Sequence, residues 1–238
     1  MEDFRNILFL DIETVATTGK YSDLSDRMKV QWARKVNFFR QREEGQTDEN
    51  LYYERAGIYA EFGKIIVIAI GKFTENENGE RSLKTKYFAH DDEKILLEEF
   101  KIALEKMDSS QLKLCAHNGK EFDFPYLSRR MLVHGISLPS VLNLSGKKSW
   151  EIPHLDTMEL WKFGDYKHYT SLDLLAALFN IPTSKGELDG SKVNHAYYHE
   201  KDLKKIAEYC VGDVVAVAQL FLKMKGLELI PEKNIQHS

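Results

Sequence analysis

Three short patterns set carboxylates at spacings suited to metal-assisted chemistry. The first is Asp11-x-Glu13, which follows the apolar run Ile7-Leu8-Phe9-Leu10. Period-two alternation sends both side chains to the same face of an extended chain. Two carboxylates so close repel each other unless a cation lies between them. The second pattern is Asn118-x-x-x-Phe122-Asp123, and the third is Tyr209-x-x-x-Asp213. Hard divalent cations prefer oxygen ligands. Two such ions can activate a water and stabilise the leaving oxygen of an in-line displacement at phosphorus.

Each pattern also has a bland reading. Asp91-x-Glu93 repeats the first spacing and reads as acids in the first turn of a helix. Asp123 fits a helix cap and Phe122 fits core packing. The third spacing recurs at Tyr87/Asp91, Tyr169/Asp173 and Tyr198/Asp202. There, Asp91 and Asp202 read as N-caps, and Asp173 closes a capping box with Thr170. Asp213 differs because it lies deep in an apolar helical pattern, where a buried acid must be paired or metal-bound.

The elements that must position these acids can be traced along the chain. Ile7 to Leu10 predicts a strand buried on both faces and ending at Asp11. Such a strand end at the edge of a buried sheet is where α/β folds place ligands. From about Thr17 to Glu61 the pattern becomes a helical insertion, with Met28, Val30, Trp32, Val36 and Phe39 among charges. Lys64 to Phe73 and Ser82 to Phe88 predict two strands joined by a hairpin turn over Glu75 to Glu80. A helix over Asp91 to Met107, a strand over Leu112 to Ala116 and a helix over Asp123 to Val133 follow, the last stopped by Gly135. Gly119 makes the turn before Asp123 flexible. Further helices are expected at Ser171 to Phe179 and Asp202 to Lys225. The order implies α/β architecture, a mixed sheet with an antiparallel edge flanked by helices.

At 238 residues, 43% hydrophobic and 29% charged, the chain fits one substantial core. It is read as a single domain over 1–238 with its insertion at about 17–61. No apolar run is long enough to span a bilayer, so no membrane association is expected. The N-terminus does not resemble a signal peptide, and Cys115 and Cys210 read as buried free thiols, so a cytoplasmic location is expected. The net charge of −4 speaks against a large surface for duplex DNA, but a carboxylate metal site is itself acidic.

Taken in order, FLDIET, the Asn-x-x-x-Phe-Asp segment and YCVGD resemble the three motifs of the DEDD (DnaQ-like) exonuclease superfamily. The similarity is greatest to its tyrosine-type branch, and there to stand-alone relatives of the proofreading domain of family B DNA polymerases. It runs from about residue 5 to 225, and Leu188 to Phe221 carries much of it. Histidine-type members place a His five residues before the last Asp, where this chain has Glu208.

The resemblance implies a ribonuclease H-like fold and a 3′–5′ exonuclease needing two divalent ions, Mg²⁺ or Mn²⁺. Asp11, Glu13 and Asp213 would hold one, and Asp11 the other, with Asp123 contributing through water. Tyr209 would orient the attacking water, since a tyrosine of ordinary pKa is a poor base at neutral pH. Thr14, Asn118 and Phe122 match positions that handle the 3′-terminal nucleotides. The expected substrate is the 3′ end of a single strand, DNA favoured over RNA, and no protein partner is predicted. DNA repair, RNA turnover and mobile-element defence are all compatible settings.

Asp156 rivals Asp123 for the second ion, against a loop, cap or buried structural role. His117 receives no ligand role. Lys147-Lys148 with Trp150, and Lys162 to Lys167 with Tyr166, suit contact with a strand or simply a solvated loop. Two alternatives share the fold: an exoribonuclease, and a non-catalytic nucleic-acid-binding domain, which the clustered acids disfavour.

Overall fold

The computed structural model describes residues 4–42, 45–77, 79–107, 111–165, 169–183 and 188–237. Tyr166, Lys167 and His168 lie outside the described residues.

Alternation along the first strand, β1 (Ile7–Ala16), divides its side chains between two cores. Ile7, Phe9 and Val15 join one, and Leu8, Leu10 and Ile12 the other. Asp11 and Glu13 share parity with Ile7 and Phe9 and so face the first core. Contrary to expectation, β1 does not end at Asp11. It pairs antiparallel with β2 (Gly63–Glu75) from Leu8↔Lys72 to Ala16↔Gly63, with a register shift between Glu13 and Thr14. The acids interrupt the apolar run but not the ladder, because the long β2 holds β1 extended past them.

Between β1 and β2 the expected insertion carries α1 (Asp26–Arg42) and α2 (Asp48–Arg55). They close on Trp32, Val36, Leu51, Tyr52 and Phe62, while Val30 is exposed. The Trp32 indole N–H donates to the Asp48 carbonyl at 2.8 Å. Strand β3 (Arg81–Ala89) returns along β2, and α3 (Glu93–Glu105) covers the second core with Leu96, Leu97, Phe100 and Leu104. The chain continues through β4 (Lys113–Ala116), α4 (Asp123–Val133), β5 (Leu155–Asp156), α5 (Thr157–Lys162), α6 (Leu172–Leu178) and the short α7 (Val193–His195). The long α8 (Leu203–Met224) and the terminal β6 (Ile235–His237) complete it.

The six strands lie in the order β5-β4-β1-β2-β3-β6. Only β2 runs against its neighbours; β1/β4, β4/β5 and β3/β6 are parallel. The antiparallel strand is therefore interior, not at the edge as expected. The two-residue β5 and the three-residue β6 cover the flanks, and both are too short to show a periodic signal. Helix α8 lies on the face holding Phe9, Ala69 and Phe73, and α3 and α4 lie on the other.

Three local expectations are corrected. The N-cap of α3 is Asp92, not Asp91, accepting from Lys94 N–H at 2.9 Å. Asp91 instead accepts from the Tyr197 hydroxyl at 2.8 Å. The cap of α6 is Ser171, which accepts from Leu174 N–H at 3.2 Å, so Thr170 and Asp173 form no capping box there.

Glu93 is the third correction, being buried rather than a surface acid of a first helical turn. It accepts from Ile65 N–H at 2.7 Å, from Arg130 Nε at 2.9 Å and from His134 Nε2 at 2.7 Å. Arg130 also donates to the Ala60 carbonyl at 2.9 Å. This network fastens α3, α4, β2 and the end of the insertion together. Glu93→Ala strands a buried guanidinium and is expected to cost about 3–5 kcal/mol. Truncating the exposed Lys94 beside Glu98 should cost about 0–1 kcal/mol. Denaturant midpoints of the two variants test this; equal midpoints would contradict the assigned role of Glu93.

Candidate active site

The crevice opens where β1 and β4 part. Their pairing stops at Phe9↔Cys115, and β4 ends at Ala116. Beyond that point Ile12 N–H donates to Asp123 Oδ1 at 3.2 Å, so the first residue of α4 supplies an acceptor that β4 no longer provides. From above, α8 brings Tyr209, Cys210 and Asp213. Donor atoms of Asp11, Glu13 and Cys210 all lie within 4.8 Å of one another. The Cys210 thiol donates to Asp11 Oδ2 at 3.2 Å. Tyr209 and Asp213, one helical turn apart, share a side-chain hydrogen bond.

These groups oppose one another's ionisation. Burial first, then the charges of Asp123, Glu13 and Asp213, hold the Asp11 carboxyl well above its usual range. Glu13 is raised by burial, Asp213 and Asp123. Asp123 is pushed up to about 7 by burial and by Asp156, against the backbone N–H groups of Asp123 and Ile12. Burial, Asp213, Glu13 and Asp11 raise the Tyr209 phenol, which stays protonated and can only donate or accept through a neutral hydroxyl. Oxygen donors from β1 and α4, each destabilised as an anion, together with the Asp213 carboxyl of α8, fit a hard divalent cation.

Asp156 organises the loop beside this crevice. Its Oδ1 accepts from Asn118 N–H and Met158 N–H, each at 2.9 Å, and its Oδ2 from Lys120 N–H at 3.1 Å. It thereby caps α5 and fixes the turn that carries Asn118 toward Asp123. Gly119 is needed there for space rather than flexibility, because a Cβ would overlap the Ala116 methyl and lie 2.9 Å from Phe124 Cζ. Asn118 takes a left-handed φ of +64°, and its buried Oδ1 has no partner among the described residues. His117 donates from Nε2 to the Thr170 carbonyl at 2.8 Å and meets the Thr157 hydroxyl at 2.9 Å through Nδ1. Its pKa is lowered by burial.

Thr14 and Phe122 flank the crevice less directly. The Thr14 hydroxyl donates to the Gly57 carbonyl at 2.8 Å, joining β1 to the end of the insertion. Phe122 is half-buried against Tyr126, with ring centroids 5.3 Å apart. Cys210 is the one neighbour of the acids that the sequence reading placed only in a core stripe. Its position three residues before Asp213 on the helix was the available signal.

Residues 58–232 match the family described as "Predicted 3'-5' exonuclease related to the exonuclease domain of PolB". No curated protein matches significantly. Among solved structures, the chain is similar to the family B DNA polymerase of the hyperthermophilic archaeon Pyrobaculum calidifontis, with a TM-score of 0.52 and 15% identity over 91% of this chain. The match spans 24% of that polymerase chain. The mixed six-stranded sheet flanked by helices is thus the ribonuclease H-like α/β fold of that enzyme's exonuclease domain. No helix among the described residues is long and apolar enough to cross a membrane.

The raised carboxyls make stability depend on pH. A group whose folded pKa exceeds its unfolded value binds more protons when folded, so it loses stability as pH rises between the two. For Asp123 that window runs from its ordinary 3.8 to about 7, and Asp11 and Glu13 act in the same direction. Without divalent ions the melting temperature should fall across this window. Asp123→Asn should flatten the fall, and Mg²⁺ or Mn²⁺ should raise the melting temperature most at its upper end. A pH-independent melting temperature in EDTA would count against the coupled cluster.

Proposed function

We propose, from the premise that this chain belongs to the family of predicted 3′–5′ exonucleases related to the exonuclease domain of PolB, that it trims the 3′ end of single-stranded nucleic acid, DNA in preference to RNA. The observation that carries the reading is the convergence of Asp11 and Glu13 on β1 with Asp123 on α4 and Asp213 on α8, whose charges both oppose the ionisation of Asp11 and Glu13. We read 1–238 as a single exonuclease domain, with 17–61 as its helical insertion.

Asp11, Glu13 and Asp213 would hold one divalent ion, and Asp11 with Asp123 a second, Mg²⁺ or Mn²⁺. Such cations supply positive charge against the developing charge of an in-line displacement and lower the pKa of water. Tyr209 supports a tyrosine-type assignment, with the exposed Glu208 where histidine-type relatives carry their base. Its phenol, kept neutral and hydrogen-bonded to Asp213, suits positioning of the attacking water rather than removal of its proton.

Asn118 offers a carbonyl oxygen that a nucleotide donor would satisfy, and its left-handed backbone is a strain of the kind found at ligand sites. Phe122 can yield the free side of its ring to a terminal base, in a contact of about 1–3 kcal/mol. Thr14 sets the β1 backbone against the insertion and bounds the crevice beside Glu13.

Digestion of end-labelled single strands in Mg²⁺ or Mn²⁺, DNA beside RNA, tests the reading. Stepwise shortening from the 3′ end is expected, abolished by EDTA and by Asp213→Ala. Tyr209→Phe should slow cleavage by about a hundredfold while leaving the midpoint of a Mg²⁺ titration nearly unmoved. Full activity in Asp213→Ala would sink the assignment, and a large loss of metal affinity in Tyr209→Phe would contradict the positioning role.

A further inference from the structure

The three most exposed large hydrophobic side chains among the described residues are Phe163 at 89%, Trp150 at 78% and Tyr169 at 66%. All come from one stretch of chain, the loops on either side of α5, whose N-cap is the Asp156 that organises the crevice. Scattered exposed apolar residues need no explanation, but three such aromatic rings along one stretch of chain do.

Trp150 sits on a turn that is held rather than loose. Lys148 N–H donates to Glu151 Oε2 at 2.7 Å, closing the turn on itself. The Ser149 hydroxyl donates to Glu159 Oε1 at 3.1 Å, and Lys120 Nζ binds the other oxygen of that carboxylate at 2.7 Å. Lys120 is the residue whose backbone N–H is bound by Asp156. A continuous polar bridge therefore runs from the Asn118–Asp123 turn to the Trp150 turn. The Lys148 ammonium lies 5.1 Å from the centre of the Trp150 ring, and Lys147 beside it is exposed. Tyr169 lies closer in: the carbonyl of the next residue, Thr170, accepts from His117 Nε2 at 2.8 Å, and His117 immediately precedes Asn118 of the crevice turn.

We propose that Trp150 with Lys147 and Lys148, and Tyr169 nearer the acids, form a track that binds the unpaired nucleotides upstream of the one being removed. The proposal rests on the exonuclease reading and assigns this second surface to its substrate. Exposed aromatic faces interleaved with lysines are how single strands are held without regard to sequence: bases stack and phosphates pair with the cations. A base pair would hide the faces the rings need, so the track selects unpaired strand. Two lysines on a turn in a chain of net charge −4 also make a small patch, poorly suited to duplex.

The test compares the full chain with Trp150→Ala and with Lys147→Ala/Lys148→Ala. In EDTA, the fluorescence anisotropy of an end-labelled oligothymidylate of about 12 residues reads binding without chemistry. In Mg²⁺, KM for that strand is set against KM for a dinucleotide, which offers only one nucleotide upstream of the one removed. Trp150→Ala should raise KM for the long strand about tenfold and leave the dinucleotide unchanged. The double lysine variant should bind more weakly, with a salt slope smaller by about 1–2. Unaltered long-strand KM in Trp150→Ala, or equal losses on both substrates, would overturn the track while leaving the exonuclease reading intact. Strand binding that weakens in both variants, without hydrolysis by the parent protein, would support the track and sink the catalytic reading instead.

Discussion

Mutual repulsion among Asp11, Glu13, Asp123 and Asp213 is the constraint around which this fold is arranged. Like charges in a buried crevice push the strand and the two helices that carry them apart, so other contacts must press those elements together. Most of that load falls on α8, whose apolar stripe of Ile206, Ala207, Cys210, Val214, Val217 and Phe221 lies on Phe9, Val67, Ala69 and Phe73. Phe221 meets Phe9 edge-on with centroids 5.6 Å apart, and Phe9 meets Phe73 at 4.8 Å. The approach is close enough to require glycine on the sheet. A Cβ at Gly71 would lie 2.8 Å from Val214 Cγ1, one residue along the helix from Asp213. Apolar burial of this kind contributes about 25 cal/mol per Å² and is non-directional. It can hold Asp213 over β1 without spending a polar partner there.

The opposite wall is fixed by hydrogen bonds instead. Parallel strands β1 and β4 separate after Phe9↔Cys115, and the freed edge of β1 is met by Asp123 through Ile12 N–H. The turn leading to Asp123 is tight, with a left-handed Asn118 and a glycine packed against Ala116. Asp156 makes it affordable by accepting three backbone N–H groups, two of them from that turn. A parallel sheet offers ligands a crevice wherever neighbouring strands diverge at their carboxyl ends. Here the crevice has one wall of packing and one of hydrogen bonds, and the acids line both.

Much of this was legible from residue order. The strand cores, the boundaries of α4, the N-cap Asp202 of α8 and the buried free thiols follow from periodicity and turn chemistry. The shared face of Asp11 and Glu13 follows from parity alone. What was not legible depends on neighbours distant in sequence. The extension of β1 past Asp11 is imposed by β2, and β3 is kept from the sheet edge by β6, whose three residues carry no pattern. Caps slipped by one residue at Asp92 and Ser171, because adjacent Asp91 and Thr170 offer the same local chemistry and only tertiary partners choose between them. Glu93 was misread for the same reason, since its partners Arg130 and His134 lie on another helix and at its C-cap.

Glu93 and the crevice acids also show the chain treating buried carboxylates in two opposite ways. Glu93 is matched on both oxygens: an arginine fork, a histidine and a backbone N–H surround it, and its role ends with holding helices to sheet. Asp11, partly buried, and Glu13, buried, lie on the other face of the same sheet, and the charges that act on them are those of Asp123, Asp213 and each other. The donor described for Asp11 is a thiol, among the weakest the side chains offer. A sequence able to supply Arg130 to one buried acid is not short of cations to supply to another. An arginine among the crevice acids would neutralise them permanently and block the oxygens that a divalent ion must reach. Holding Asp11 and Glu13 with no such cation among the described residues costs stability but keeps their lone pairs convergent, which is the arrangement that hard-cation chemistry on a phosphodiester requires.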